Sequence, residues 1–113
     1  QYTMAVDRGN PKVSYLYSVY QPSVIRSLKR IINAADKAGI KVGMCGEAAA
    51  DALLTPLLIA FGLNEFSVSP VSILKTRKNI GSWTKAEAVK VAESVLLMDT
   101  AEKIEDFLKK HVK

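Results

Sequence analysis

One cysteine stands in the chain, in the stretch Ile40-Lys41-Val42-Gly43-Met44-Cys45-Gly46-Glu47. A thiol followed by glycine and a carboxylate brings together two groups that exchange protons, beside a backbone that a ligand can approach closely. The position matters as much as the types. In α/β folds the loops at the carboxyl ends of strands carry the chemistry, because side chains converge there without being needed for packing. Cys45 falls at such an end. The competing reading of a lone cysteine is a small core hydrophobe, and the residues of this stretch leave both readings open.

The elements that must position Cys45 follow from periodicity. Residues 40–44 are short and apolar and follow the helix-stop signal Ala38-Gly39, so they read as a buried strand of a parallel sheet. Before it, Pro22-Ser23 opens a helix. Its apolar stripe is Val24, Ile25, Leu28, Ile31, Ile32 and Ala35, set against Arg26, Lys29, Arg30 and Asn33. Residues 1–21 show no period. Asp7-Arg8-Gly9-Asn10-Pro11 is turn-rich, and Tyr15-Leu16-Tyr17 with Val19-Tyr20 is expected to anchor a long structured loop.

After Glu47, Thr55-Pro56 predicts an N-cap and a short helix from Pro56 to Phe61, closed by Gly62 and buried on several sides. Glu65–Ser69 reads as a second strand, and Ser69-Pro70 as the cap of a helix running to about Ile80. Thr84-Lys85-Ala86-Glu87 is a capping box, followed by Ala88, Val91, Ala92, Val95 and Leu96 at helical spacing. Asp99 or Thr100 caps a last helix with Ile104, Phe107 and Leu108 inward, and His111 is expected to be solvated at its end. Trp83 reads as a packing anchor. Alternating strands and helices imply an α/β fold with a parallel sheet. Two strands leave both edges unpaired, so the chain is expected to be one piece of a larger assembly, or to associate with copies of itself.

At 113 residues the sequence fits one small domain. No apolar run approaches the roughly 20 residues that span a bilayer, and a single cysteine fits a reducing, cytoplasmic setting, so no membrane partner is expected. The net charge of +5 comes from scattered cations, Lys29 and Arg30, Lys75 with Arg77 and Lys78, then Lys109, Lys110 and Lys113. No aromatic residues interleave with them as a single-strand groove requires, so no nucleic-acid partner is expected either.

Several runs taken together carry a resemblance: Gln1-Tyr2-Thr3-Met4-Ala5-Val6-Asp7-Arg8-Gly9-Asn10, Pro22-Ser23-Val24, Gly43-Met44-Cys45-Gly46-Glu47, Asp51, Gly62-Leu63 and Glu65–Ser69. The chain resembles, nearly end to end, the phosphoenolpyruvate-protein phosphotransferases, Enzyme I of the bacterial sugar phosphotransferase system. Related dikinases and phosphoenolpyruvate synthases share the Cys-Gly-Glu, but the Gln-Tyr-Thr opening and the Val-Asp-Arg-Gly-Asn run look more like Enzyme I.

The resemblance implies a fold and a set of roles. Residues 1–113 would be a single fragment, the C-terminal portion of the family's (β/α)8 TIM barrel, with about two of its strands and their helices. The family moves the phosphoryl group of phosphoenolpyruvate to its own histidine and on to a histidine-containing phosphocarrier protein, leaving pyruvate. It works in the cytoplasm as a homodimer, through its barrel domain.

Arg8 matches the family arginine on the substrate phosphate, a role that suits a planar guanidinium. Cys45 matches the family's proton donor to the enolate. A thiol with an ordinary pKa of roughly 8.5 is protonated at neutral pH and fits that part. Glu47 matches the same motif without a role that follows from it, and Asp7 reads as a turn residue. The family's magnesium ligands correspond to segments upstream of Gln1, so Mg2+ is expected in the complete enzyme and no metal ligand is assigned in this chain.

Lacking those ligands, the chain alone is expected to be inactive. Ala48-Ala49-Ala50 stands where the family usually holds a glycine, which predicts a stiffer loop. The alternatives are a fragment of a related phosphoenolpyruvate synthase or pyruvate phosphate dikinase, or a non-catalytic dimerisation piece in which Cys45 is incidental.

Overall fold

The computed structural model describes residues 1–112. Six helices and two short strands succeed an irregular N-terminal segment: α1 Pro22–Lys37, β1 Gly43–Cys45, α2 Glu47–Ala50, α3 Thr55–Phe61, β2 Glu65–Ser67, α4 Ile73–Gly81, α5 Lys85–Leu96 and α6 Ala101–His111. The molecule is mixed α/β and mostly helical. β1 and β2 form a two-stranded parallel sheet with Met44 opposite Phe66 and Cys45 opposite Ser67.

The core lies where four helices converge. Ile25 and Ile32 from α1, Leu57, Leu58 and Phe61 from α3, Ala92 and Val95 from α5, and Ile104 and Leu108 from α6 form one buried cluster, joined by Leu54. Helix α3 is apolar nearly all round because it sits at the centre, packed against α1, α4 and α5. Its C-terminal carbonyls are covered from α5, where Lys85 Nζ donates to Ile59 O at 2.6 Å and to Ala60 O at 3.1 Å. A cation at a helix C-terminus satisfies orphan carbonyls and opposes the helix dipole. The expected capping box is present. Thr84 Oγ1 accepts from the Glu87 amide, and the Glu87 carboxylate accepts from the Thr84 amide.

Several expectations need correction. β1 covers 43–45 rather than 40–44, and Ile40 is 62% exposed. The strand is not buried on both faces, because only Met44 and Phe66 pack toward the helical core while Cys45 and Gly43 face outward. Ile31 lies outside the packed stripe of α1, at 58% exposure. Thr55 is the first residue of α3 rather than its cap, buried with its hydroxyl donating to Asp51 O at 3.0 Å. Residues 70–72 form a separate 3-10 turn before α4, with the Ser69 and Ser72 hydroxyls 3.1 Å apart. Tyr15 and Tyr17 are exposed and anchor nothing in the core, unlike Val19 and Tyr20, which pack against it. Of the two capping candidates before α6, Thr100 caps. His111 is exposed, as expected, and stacks on Phe107 with ring centroids 4.0 Å apart.

Candidate functional site

The turn between β1 and α2 decides where the thiol points. Cys45 ends the strand, Gly46 reverses the chain at φ 83° and ψ −166°, and Glu47 begins a helix at once. That backbone region is open to glycine and strained for any residue with a Cβ. Ala49 is fully buried and pins α2 from below, so Cys45 and Glu47 stay exposed at the carboxyl end of the sheet. This is the end at which parallel α/β sheets place ligands.

Across from that turn lies the N-terminal segment. Val6 is buried and holds it to the body of the molecule. Asp7 Oδ1 accepts from the Gly9 amide at 2.9 Å, a side-chain-closed turn, and the Arg8 amide donates to Gln1 Oε1 at 3.0 Å. Asp7 therefore serves its own loop, as expected. The Arg8 guanidinium is exposed and enters no ion pair among the described residues.

Arg8 and Cys45, 37 positions apart in sequence, line the same cleft of about 540 Å³. Its other walls include Gln1, Met4, Glu47 and Asp51. The volume suits a small ligand. A cation at one wall and a thiol at another can hold an anion and exchange a proton with it.

Two residues, Asp51 in this wall and Tyr20 behind it, gave no functional signal in the sequence. Tyr20 reads as an apolar anchor and Asp51 as one motif position, yet the Tyr20 hydroxyl donates to Asp51 Oδ2 at 2.5 Å. Asp51 Oδ1 accepts from the Leu53 amide at 2.8 Å, and its backbone carbonyl accepts from the Thr55 amide and hydroxyl. Burial first, then the hydrogen bond to Asp51 and the nearby carboxylate charges, pushes the Tyr20 hydroxyl well above the usual phenol range. The signal that could have found the pair is that a tyrosine packed into a core needs a partner for its hydroxyl.

These residues do not fit a metal ion. Among the described residues no three His, Cys, Asp or Glu side chains converge, and both Asp51 oxygens already accept hydrogen bonds within the chain.

Comparison with known proteins shows the family to which the chain belongs. Residues 1–84 match the family described as PEP-utilising enzyme, PEP-binding domain, and the chain belongs to that family. Within it, the chain is similar to proteins named phosphoenolpyruvate-protein phosphotransferase. It is 49% identical to that of Listeria monocytogenes over 111 residues, covering 98% of this chain and 19% of the relative. It is 47% identical to the Bacillus subtilis protein over 113 residues, covering 100% and 20%. With the Geobacillus stearothermophilus protein the identity is 46% over 110 residues, covering 97% and 19%. The chain thus spans about a fifth of the length of these relatives. Among the described residues no helix is long and apolar enough to cross a membrane.

Proposed function

We propose that this chain is the C-terminal part of the phosphoenolpyruvate-binding (β/α)8 barrel of a phosphoenolpyruvate-protein phosphotransferase. The observation that carries the reading is that Arg8 and Cys45 line one cleft at the carboxyl end of a parallel sheet, in a chain of this family. Arg8 pairs with the phosphate of phosphoenolpyruvate, where a guanidinium offers parallel donors to phosphate oxygens. The bond between phosphorus and the enol oxygen breaks, and the phosphoryl group passes to a histidine outside this chain and then to a histidine-containing carrier protein. Cys45 gives its S–H proton to the terminal carbon of the enolate, which becomes the methyl group of pyruvate. The thiolate left behind regains a proton from solvent.

In such transfers charge compensation and positioning supply most of the rate, and a metal ion commonly bears part of that load. A magnesium ion in the complete enzyme takes its ligands from outside this chain. The complete enzyme works in the cytoplasm as a homodimer.

The test is Cys45→Ala in the complete enzyme. Loss of a positioned general acid lowers the rate of pyruvate formation by about 10²- to 10⁴-fold. Arg8→Ala raises the KM for phosphoenolpyruvate and lowers kcat/KM. Pyruvate formation at the wild-type rate in Cys45→Ala would overturn the acid role, and an unchanged KM in Arg8→Ala the phosphate role.

A further inference from the structure

Tyr20 does not line the cleft. It stands behind the wall, packed against the helical core, and reaches Asp51 with its hydroxyl. Asp51 does line the cleft, alongside Cys45 and Glu47. An unpaired carboxylate in a cleft that takes an anion is a liability, since like charges a few ångströms apart repel, and more strongly near low-dielectric walls. In this structure both oxygens of that carboxylate are engaged inside the wall, Oδ2 by the Tyr20 hydroxyl and Oδ1 by the Leu53 amide. The Leu53 bond is local and fixes only the turn into α3. The Tyr20 bond crosses 31 positions of sequence and ties the β1–α2–α3 connection to the segment entering α1.

We propose that Tyr20 is a positioning residue for the cleft: its hydroxyl holds the Asp51 carboxylate in the wall, so that an anion entering the site meets Arg8 and the thiol with one free carboxylate beside them, the exposed Glu47, rather than two. The inference deepens the phosphoenolpyruvate reading and rests on it for the identity of the anion. The charge effect itself is independent of that identity. Tyr20→Phe removes only the bond. It frees Oδ2 to turn into the cleft and lowers the local potential there.

The single cysteine supplies a local probe in the 113-residue chain itself. Cys45 is exposed, and alkylation by iodoacetate, an anion, can be compared with alkylation by neutral iodoacetamide. Both reagents consume the same thiolate, so the ratio of their rates cancels thiol acidity and reports the potential at the cleft. At low ionic strength Tyr20→Phe should lower the iodoacetate-to-iodoacetamide ratio about two- to threefold, as expected for one charge brought several ångströms nearer within a Debye length. Asp51→Asn in the Tyr20→Phe background should restore the ratio. In the wild-type background the same substitution should change it less. This coupling is what a purely structural bond would not produce, because loosened packing alters both reagents alike.

A ratio unchanged by Tyr20→Phe, or equal effects of Asp51→Asn in both backgrounds, would overturn the proposal. Circular dichroism spectra show whether each variant is folded. Should Tyr20→Phe fail to fold, the comparison passes to Tyr20→Leu, which keeps an apolar side chain at the site and carries no donor, with and without Asp51→Asn. A ratio that stays insensitive to Asp51→Asn in that background also overturns it. None of these outcomes depends on turnover, so failure here is distinguishable from failure of Cys45→Ala in the complete enzyme.

Discussion

Cys45 and Tyr20 show two ways in which one side chain acquires a role. Cys45 is placed by backbone, at the last position of a strand before a tight reversal, and no side chain needs to hold it. Tyr20 is placed by a partner. Its hydroxyl keeps its proton far into the alkaline range because burial and the Asp51 carboxylate both oppose ionisation. Since the folded state raises this pKa, the stabilisation is fully present below the pH at which a free phenol titrates, about 10. Above that pH the unfolded chain gives up the proton more readily, and stability falls as pH rises. Urea denaturation between pH 8 and pH 11 should show the loss in the wild type and a smaller one in Tyr20→Phe. Parallel curves would mean that the hydroxyl contributes nothing to the alkaline limb.

At the scale of elements, the β1–α2 reversal is the piece on which the site depends. A Cβ built at Gly46 meets no atom within 4 Å, so Gly46→Ala introduces no clash, but it forces alanine to φ 83°. The expected cost is about 1–3 kcal/mol of stability, entirely from backbone strain. Gly81 is the matched control. It ends α4 with open space around it and lacks the positive φ, so Gly81→Ala should be neutral or stabilise by up to about 1 kcal/mol. Denaturant midpoints of the two variants decide the matter, and equal effects would show that the Gly46 conformation is not the constraint.

For the whole molecule, the distribution of apolar surface sets the expectation. A two-stranded sheet among the described residues has two open edges, and Val71 in the 70–72 turn and Leu74 in α4 are 91% and 78% exposed. Open strand edges and exposed apolar side chains each recruit other strands and surfaces. The isolated chain should therefore self-associate as its concentration rises. Light scattering coupled to size exclusion should report a mass above the 12.3 kDa monomer, and Leu74→Glu should shift it downward. A monomer at all concentrations would show that these surfaces need no cover. Within the proposed barrel the same edges are where neighbouring strands pair.

Much of this was legible in sequence because it is local. The stripe of α5 and the Thr84–Glu87 box depend on residues three and four apart, and the structure contains both. The stop at Gly39, the cysteine at a strand end and the family resemblance were likewise written in contiguous runs. Strand limits, the exposure of Ile31 and Tyr15, and the separate turn at 70–72 were not, because each depends on what the rest of the chain packs against them. The same division runs through the site. Residue type and position at a strand end singled out Cys45 and the family resemblance singled out Arg8, while only tertiary structure put them on one cleft and gave Tyr20 its carboxylate. Local patterns are fixed by covalent neighbours, whereas a bond across 31 positions exists only once the core has closed and brought its two ends together.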